Sequence, residues 1–178
     1  MANRNGADDV GTRTDAVETI IEDWRRERPD LDPAPLQVLG RLHRTFLRYQ
    51  SVVARTVQSH GLNLAGFDVL TALRRAGTPY RRTAGELAAS GLITSAGITM
   101  RIDRLEKDGL IVRERDPGDR RVVYSRLTDE GLRRIDVLFA EHLENERRML
   151  AGLTAEECAQ LGVLLGKLER SLDAAQDE

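Results

Sequence analysis

The chain has 178 residues, of which 40% are apolar and 31% charged, a balance typical of a globular protein rather than a disordered one. Aromatic residues are scarce, at 4%, and Ala, Leu, Arg and Glu are abundant, which favours helices over a sandwich or barrel. No apolar run is long enough to predict a membrane span, and the polar, acidic N-terminus does not match a signal peptide. The single cysteine, Cys158, excludes an internal disulfide and fits a cytoplasmic location.

The charges are unevenly distributed, although the net charge is only −2. Residues 81–126 hold ten Arg or Lys and seven Asp or Glu, whereas residues 141–178 hold four basic and nine acidic residues. A basic module on an acidic body can bind a polyanion, because such contacts are local and are screened beyond about 8–10 Å. Solvated helix faces also show this asymmetry, so it indicates a nucleic-acid partner only together with other features.

The first half of the chain predicts helices. Residues 1–12 are polar and glycine-containing, and we interpret them as a disordered tail. Apolar residues at helical spacing predict a helix from about Thr14 to Arg28. A longer helix is predicted from Pro33 to about Ser59, with Asp32 as its N-cap, and a third from Leu64 to Arg75.

The next segment has the dimensions of a helix-turn-helix. Thr83 and Glu86 form a capping-box pattern that opens a short helix, Glu86–Ser90, and Gly91 makes the turn. Thr94 is then the predicted N-cap of a longer helix, Ser95–Lys107. A short helix, a tight turn and a longer helix are typical of this DNA-binding motif.

After this motif the hydrophobic period changes from 3.6 to about 2. Two strands, Leu110–Arg115 and Arg121–Leu127, are predicted around the turn sequence at 116–119. A long helix then runs from Thr128 to about Ala151, and a second capping box opens a last helix from Thr154 to about Asp173.

The predicted fold class is mainly α with a small β-hairpin wing. Residues 61–127 form the winged helix-turn-helix domain in this interpretation. The N-terminal helices (13–60) and the C-terminal helices (128–178) are assigned to dimerisation, and the former also to a ligand pocket.

The longer helix of the motif has one apolar and one polar face. Ile98, Ile102 and Leu105 form the stripe predicted to be buried, and the small residues at 95–97 would let the helix N-terminus approach a groove. Its free amides suit a phosphate, an arginine side chain can read a guanine edge, and a methyl-bearing side chain can contact thymine. A solvated helix face is the alternative. The candidate DNA contacts are Thr94, Ser95, Ala96, Gly97, Thr99, Met100 and Arg104.

The predicted hairpin carries alternating charges at its tip. Asp119 can brace an arginine through a fork-like carboxylate pair, and Arg120 or Arg121 can then enter a narrow minor groove, where negative potential is concentrated. Arg115 completes the candidate contacts on the wing. The alternative is an ordinary surface hairpin with a weak ion pair.

The segment 94–110 resembles the recognition-helix region of MarR-family regulators. The run 113–121 and the following residues 127–131 are similar to the wing and the start of the dimer helix in that family. The resemblance implies a winged helix-turn-helix fold, a homodimer that binds double-stranded DNA, and Arg121 as the arginine that enters the minor groove. Repression is the expected outcome, since occupying a promoter needs no contact with polymerase.

A narrower resemblance is carried by the N-terminal helix. Residues 24–32 resemble the extra first helix of the urate-responsive, PecS-like branch, in which a tryptophan, an aspartate and two arginines are associated with the ligand response. The matching residues are Trp24, Asp68, Arg101 and Arg113, which implies a small aromatic or carboxylate anion as effector. Met100 stands where that branch usually has asparagine. The alternative is that Trp24 is a packing anchor and Asp68 a structural ion-pair partner.

Apolar residues near the C-terminus exceed what a small wing domain can cover. They predict a dimer interface, with helix-bundle packing inside one protomer as the alternative. The residues are Leu132, Ile135, Leu138, Phe139, Leu161, Leu164, Leu165 and Leu168.

Catalytic and metal-binding patterns are missing from the sequence. His43, His60 and His142 lack the spacing of metal ligands, and no glycine-rich phosphate loop, nucleophile elbow or zinc pattern occurs, so we predict neither an enzyme nor a cofactor. Two alternatives to a ligand-controlled regulator stay open: redox control through Cys158, and a winged-helix scaffold that binds protein rather than DNA.

Overall fold

A computed structural model describes residues 15–90 and 97–175, and the chain divides into two compact units, Met1–Val52 and Val53–Glu178. Within the described residues no helix is both long and apolar enough to cross a membrane. The helices are α1 (Ala16–Glu27), α2 (Leu36–Ser59), α3 (Leu64–Arg75), α4 (Ala84–Ala88), α5 (Ile98–Lys107), α6 (Asp129–Met149) and α7 (Ala155–Ala174). The strands are β1 (Arg81–Thr83), β2 (Ile111–Arg115) and β3 (Val123–Leu127).

The N-terminal unit contains α1 and most of α2. Asp15 caps α1 by accepting a hydrogen bond from the backbone amide of Val17 at 3.0 Å. Gly40 lets the two helices approach closely, because a Cβ atom at this position would lie 3.3 Å from Cγ1 of Val17. Helix α2 begins three residues later than predicted, since Pro35 disfavours helical geometry at the residue before it.

The core of the second unit is built around α3, which packs against α5, α6 and β3. Leu70 and Leu73 of α3 are fully buried in one cluster with Ile135 and Leu138 of α6. The assignment of Ile135 and Leu138 to a dimer surface was therefore wrong: the inner stripe of α6 closes the core of its own protomer. Leu132 is partly buried against the same cluster.

The short helix of the motif forms behind its predicted capping box. The amide of Glu86 donates to Oγ1 of Thr83 at 3.2 Å, and the amide of Thr83 donates to Oε2 of Glu86 at 2.7 Å. Helix α4 begins at Ala84, two residues before the predicted start, because the first turn follows directly on the Thr83 cap.

The second helix of the motif begins later than predicted. Helix α5 starts at Ile98 behind Gly97, which has a left-handed φ of 78° that interrupts helical geometry, so the predicted start at Ser95 was wrong. Gly91 and the predicted contacts Thr94, Ser95 and Ala96 lie outside the described residues.

The three strands form an antiparallel sheet in the order β1-β3-β2. The predicted hairpin is confirmed, with Ile111 opposite Leu127 and Arg115 opposite Val123. Strand β3 begins two residues later than predicted, since the loop folds back through hydrogen bonds from Val122 to Asp119 and from Asp116 to Val122. Strand β1 was not predicted, because three residues are too few to show a period of two.

Helix α6 starts in tight contact with Leu110, the residue directly before strand β2. Thr128 caps the helix by accepting the Gly131 amide at 3.0 Å, and its own amide donates to the carbonyl of Leu110 at 3.1 Å. A Cβ atom on Gly131 would lie 2.0 Å from that same carbonyl oxygen, so the junction requires glycine. Helix α7 begins at the predicted capping box of Thr154 and Glu157.

Candidate nucleic-acid interface

Helix α5 separates a buried stripe from an exposed polar face, as its sequence predicted. Ile98, Ile102 and Leu105 are buried in the core. On the other face Met100 is 74% exposed. The Arg104 side chain is 67% exposed, and its one ion pair with a described residue is a long 4.0 Å contact to Asp108. Thr99 and Gly97 are exposed beside them, so this face of the helix is available to a partner.

Arg113 ties the hairpin to α5. Its guanidinium forms ion pairs with Asp103 and Glu106 of the helix, and its backbone amide donates to Glu106 at 3.2 Å. Hydrogen bonding to Asp103 is the main cause that raises the pKa of Arg113, so the arginine keeps its charge. These contacts fix the orientation of strand β2 relative to the exposed face of α5.

The hairpin tip presents an arginine that is braced yet almost fully exposed. Nε and Nη2 of Arg121 donate to the two carboxylate oxygens of Asp119 at 3.1 and 3.2 Å, and the Arg121 amide donates to the same group at 3.0 Å. This pairing with Arg121 holds the pKa of Asp119 below its usual value. The Arg121 side chain is nevertheless 91% exposed. The fork-like brace that the sequence predicted is therefore present.

Two further arginines add free positive charge to the same module. Arg115 ends strand β2 and Arg120 lies in the tip, and both are exposed. Within the described ranges neither has an ion pair or a side-chain hydrogen bond. By contrast, Arg126 on β3 is paired with Glu114 at 2.6 Å.

Some supporting contacts gave no signal in the sequence. Nη2 of Arg75, at the end of α3, donates to the carbonyl of Ser90 after α4 at 2.9 Å. Arg81 on β1 lies over the ring of Tyr124 on β3, with its guanidinium carbon 4.2 Å from the ring centroid. Such long-range pairs become visible only after the fold brings the segments together.

The predicted effector residues are only partly brought together. Asp68 on α3 is half-buried. The pKa of its carboxyl group is raised, mainly because burial removes solvent from the charged form, while the positive charge of Arg101 on α5 acts to lower it. Asp68 and Arg101 are thus electrostatic neighbours, whereas Arg113 is engaged by Asp103 and Glu106.

Trp24 belongs to the N-terminal unit. Its side chain is 48% exposed and lines a surface cleft of about 390 Å³ with Ile20, Asp23 and Glu27.

Cys158 lies in the first turns of α7 and is partly exposed. Its backbone amide donates to the carbonyl of Thr154 at 2.9 Å.

A capped short helix, a second helix with an exposed polar face, and a hairpin with an arginine at its tip define a winged helix-turn-helix protein. A family model described as MarR family matches residues 60–122.

The chain is also similar to individual known proteins. The HTH-type transcriptional regulator PecS of Dickeya dadantii is 39% identical over 156 residues, which cover 88% of this chain and 94% of PecS. The HTH-type transcriptional repressor MdtR of Bacillus subtilis is 29% identical over 141 residues, covering 77% and 86% of the two chains. The solved structure of Bordetella bronchiseptica BpsR, whose DNA binding is regulated by 6-hydroxynicotinic acid, superposes with a TM-score of 0.67 at 27% identity, covering 76% of this chain and 94% of BpsR. The chain belongs to the MarR family of transcriptional regulators.

Proposed function

We propose that this protein is a sequence-specific repressor that binds a palindromic operator as a homodimer. In each half-site the exposed face of α5 lies in the major groove, and Arg121 enters the adjacent minor groove. The braced and 91% exposed Arg121, held on a hairpin that Arg113 anchors to α5, is the observation that carries this proposal.

The exposed face of α5 suits direct reading of bases. Arg104 can donate two hydrogen bonds to a guanine edge, and Thr99 and Met100 can contact a thymine methyl group. Gly97 carries no side chain and allows the backbone to approach a phosphate. Thr94, Ser95 and Ala96 come directly before Gly97 in the chain and remain proposed contacts. Arg115 and Arg120 are assigned to phosphates, where their contacts would position the protein on the duplex without reading its sequence.

Helix α7 supports the homodimer. It has 20 residues, and none of them is buried within the protomer. A surface helix of a monomer normally buries an apolar stripe, so the free stripe of α7 fits a helix that packs on a second copy. The most exposed large apolar residues of this helix are Leu161, Val163, Leu164, Leu165 and Leu172.

Replacing Leu164 and Leu165 together by aspartate should separate the dimer without unfolding the protomer, because both side chains are about half exposed. We expect sedimentation of the wild type as a dimer and of the variant as a monomer. Operator affinity should fall about a hundredfold or more. In the dimer, binding of one α5 holds the α5 of the second protomer close to its half-site, and a monomer lacks this advantage.

The matched control is Gln160→Glu, which adds a charge at another exposed position of α7. It should sediment as a dimer. A wild-type protein that sediments as a monomer, or a double-aspartate variant that keeps both the dimer and the operator affinity, would contradict the proposed assembly.

A small anionic effector fits the environment of Arg101. An anion near this arginine would compete with the half-buried carboxylate of Asp68 for the same positive charge, and Arg101 belongs to the helix that reads DNA. Because of this competition, the ligand would bind the released state and the DNA-binding state with different affinities. A ligand can shift the balance between two states only through such a difference. The regulation of BpsR by 6-hydroxynicotinic acid, a flat aromatic anion, supports the same class of ligand here.

Titrating urate, xanthine and citrate against the operator complex tests this effector. At least one of the three should lower operator affinity about tenfold, the usual size of an allosteric coupling. Arg101→Gln should abolish the release, whereas Arg25→Gln on α1 should not alter it. If none of these anions releases the wild-type protein, the effector proposal fails.

Repression rests on a simpler argument. A dimer that covers a promoter excludes polymerase sterically, and activation would need an additional contact surface. The relative MdtR is a repressor. Deleting the gene for this protein should therefore raise, and not lower, the expression of promoters that contain the operator.

A further inference from the structure

The N-terminal unit contains a positively charged cleft that the proposed DNA and effector contacts leave unused. The cleft has a volume of about 450 Å³, within the range of small-molecule sites, and lies between the start of α1 and one face of α2. Arg41, Arg44 and Arg48 line it together with Thr45. Among the described residues, Asp15 is the one carboxylate that lines it.

The Asp15 carboxylate of the cleft is already neutralised. Asp15 forms an ion pair with Arg41, and Glu18 lies 3.7 Å from the same guanidinium. The Asp15 carboxylate also caps α1, and this hydrogen bond from the Val17 amide, followed by the one from Arg41, lowers its pKa. Asp15 therefore stays ionised and paired, and its charge does not offset the other arginines.

Arg44 and Arg48 are left uncompensated. Over residues 15–90 and 97–175, neither has an ion pair or a side-chain hydrogen bond, although Arg44 is half-buried. Positions i, i+3 and i+4 are neighbours on a helix, with Cβ atoms about 5–6 Å apart, so Arg41, Arg44 and Arg48 repel one another. An anion in the cleft would remove this repulsion.

We propose that this cleft binds a small metabolite with at least two carboxylate or phosphate groups, held by Arg44 and Arg48. Planar guanidinium groups pair with either kind of oxyanion through two parallel hydrogen bonds. The Thr45 hydroxyl supplies a further donor at the rim. Arg101, the proposed effector contact, belongs to the other unit of the chain and is not among the residues that line this cleft.

The test measures binding of citrate and of inorganic pyrophosphate to the full-length protein by calorimetry at constant ionic strength, with acetate as the monovalent control. We expect saturable binding of citrate, pyrophosphate or both, and none of acetate; the two arms distinguish a polycarboxylate from a phosphate site. Arg44→Gln and Arg48→Gln should each weaken binding about tenfold or more, as expected for loss of a charge-assisted pair. Arg44→Lys, which keeps the charge but loses the fork, should have a smaller effect.

Two control variants make the assignment specific. Arg25→Gln removes an exposed arginine of α1 that has no ion pair with any residue the structure describes, and it should leave the affinity unchanged. Arg101→Gln should leave the pyrophosphate affinity unchanged, because pyrophosphate, unlike citrate, is not a candidate effector at Arg101.

Three results would overturn the proposal. Absence of binding by both polyanions up to millimolar concentration is one, and binding that depends on Arg101 but not on Arg44 is another. The third is a combination of two findings: the wild type binds neither anion, and Arg44→Gln no longer self-associates. That combination would assign the cleft to a protein contact.

Discussion

Replacing Arg121 by alanine is expected to weaken operator binding about tenfold or more and to flatten the dependence of log affinity on log salt by about one unit. The side chain is 91% exposed and is preorganised by Asp119, so its removal changes few contacts within the protein. The loss therefore reports a contact with DNA. Fluorescence anisotropy with a labelled operator at several salt concentrations measures both quantities.

Arg133→Ala is the matched control for this variant. Arg133 is an exposed arginine of α6 whose side chain is also paired with a nearby carboxylate, that of Glu130. Its removal takes away the same charge at a position outside the proposed interface, and we expect little change in affinity. Arg121→Lys should fall between Arg121→Ala and the wild type, because it keeps the charge but not the fork-like pairing. An unchanged affinity in Arg121→Ala would refute the role of this arginine.

Replacing Gly131 by alanine is expected to lower the free energy of unfolding by about 3 kcal/mol, the upper part of the range for overpacking a buried site. The added Cβ would lie 2.0 Å from the carbonyl oxygen of Leu110, which is backbone and cannot rotate away. That carbonyl also accepts the amide of Thr128, so relieving the clash disturbs the cap of α6. Thermal and urea unfolding of the purified protein measure the effect.

Gly85→Ala provides a control in a matching position. Gly85 also lies in the first turn of a threonine-capped helix, but the nearest described atom to a Cβ there would be Oγ1 of Thr83, at 4.0 Å. Alanine has a higher helix propensity than glycine, so this variant should be as stable as the wild type or more stable. Equal unfolding midpoints for Gly131→Ala and the wild type would show that the junction tolerates a side chain.

The features that the sequence predicted well depend on local interactions. Both capping boxes join residues three apart, and the brace between Asp119 and Arg121 joins residues two apart. The buried stripe of α5 follows from the helical period alone. In each case the side chains that interact are close in sequence, so their pattern is enough to predict the contact.

The features that sequence reasoning missed depend on the tertiary fold or on backbone geometry. The pairing of Arg113 with Asp103 and Glu106 needs the hairpin to fold back onto α5. Ile135 and Leu138 have the same apolar character whether they face a core or a second copy, so only packing could assign them. Gly97 shows why backbone geometry was missed. A glycine next to helix-forming residues can adopt either a helical conformation or the left-handed conformation that it has here, and the sequence alone does not distinguish them.

The proximity of Asp68 and Arg101 has a different origin. No helical or strand spacing relates two residues 33 positions apart, and the family resemblance alone suggested the pair. The coulombic influence of Arg101 on Asp68 now gives that suggestion a physical basis. The opposite holds for Arg41, Arg44 and Arg48, whose spacing places them on one helix face. The sequence did not show which of them would be paired, and only the structure shows that Asp15 pairs with Arg41.

The central claim is that α5 and the wing bind adjacent grooves of duplex DNA. Hydroxyl-radical footprinting on the region upstream of the protein's own gene tests it most directly, because this probe reports protection along the minor groove. We predict two protected half-sites one helical turn apart, about 34–36 Å between centres. Flanking minor-groove protection should disappear in Arg121→Ala and persist in Arg133→Ala. Uniform cleavage with saturating wild-type protein, or a footprint that is identical in Arg121→Ala, would contradict this account.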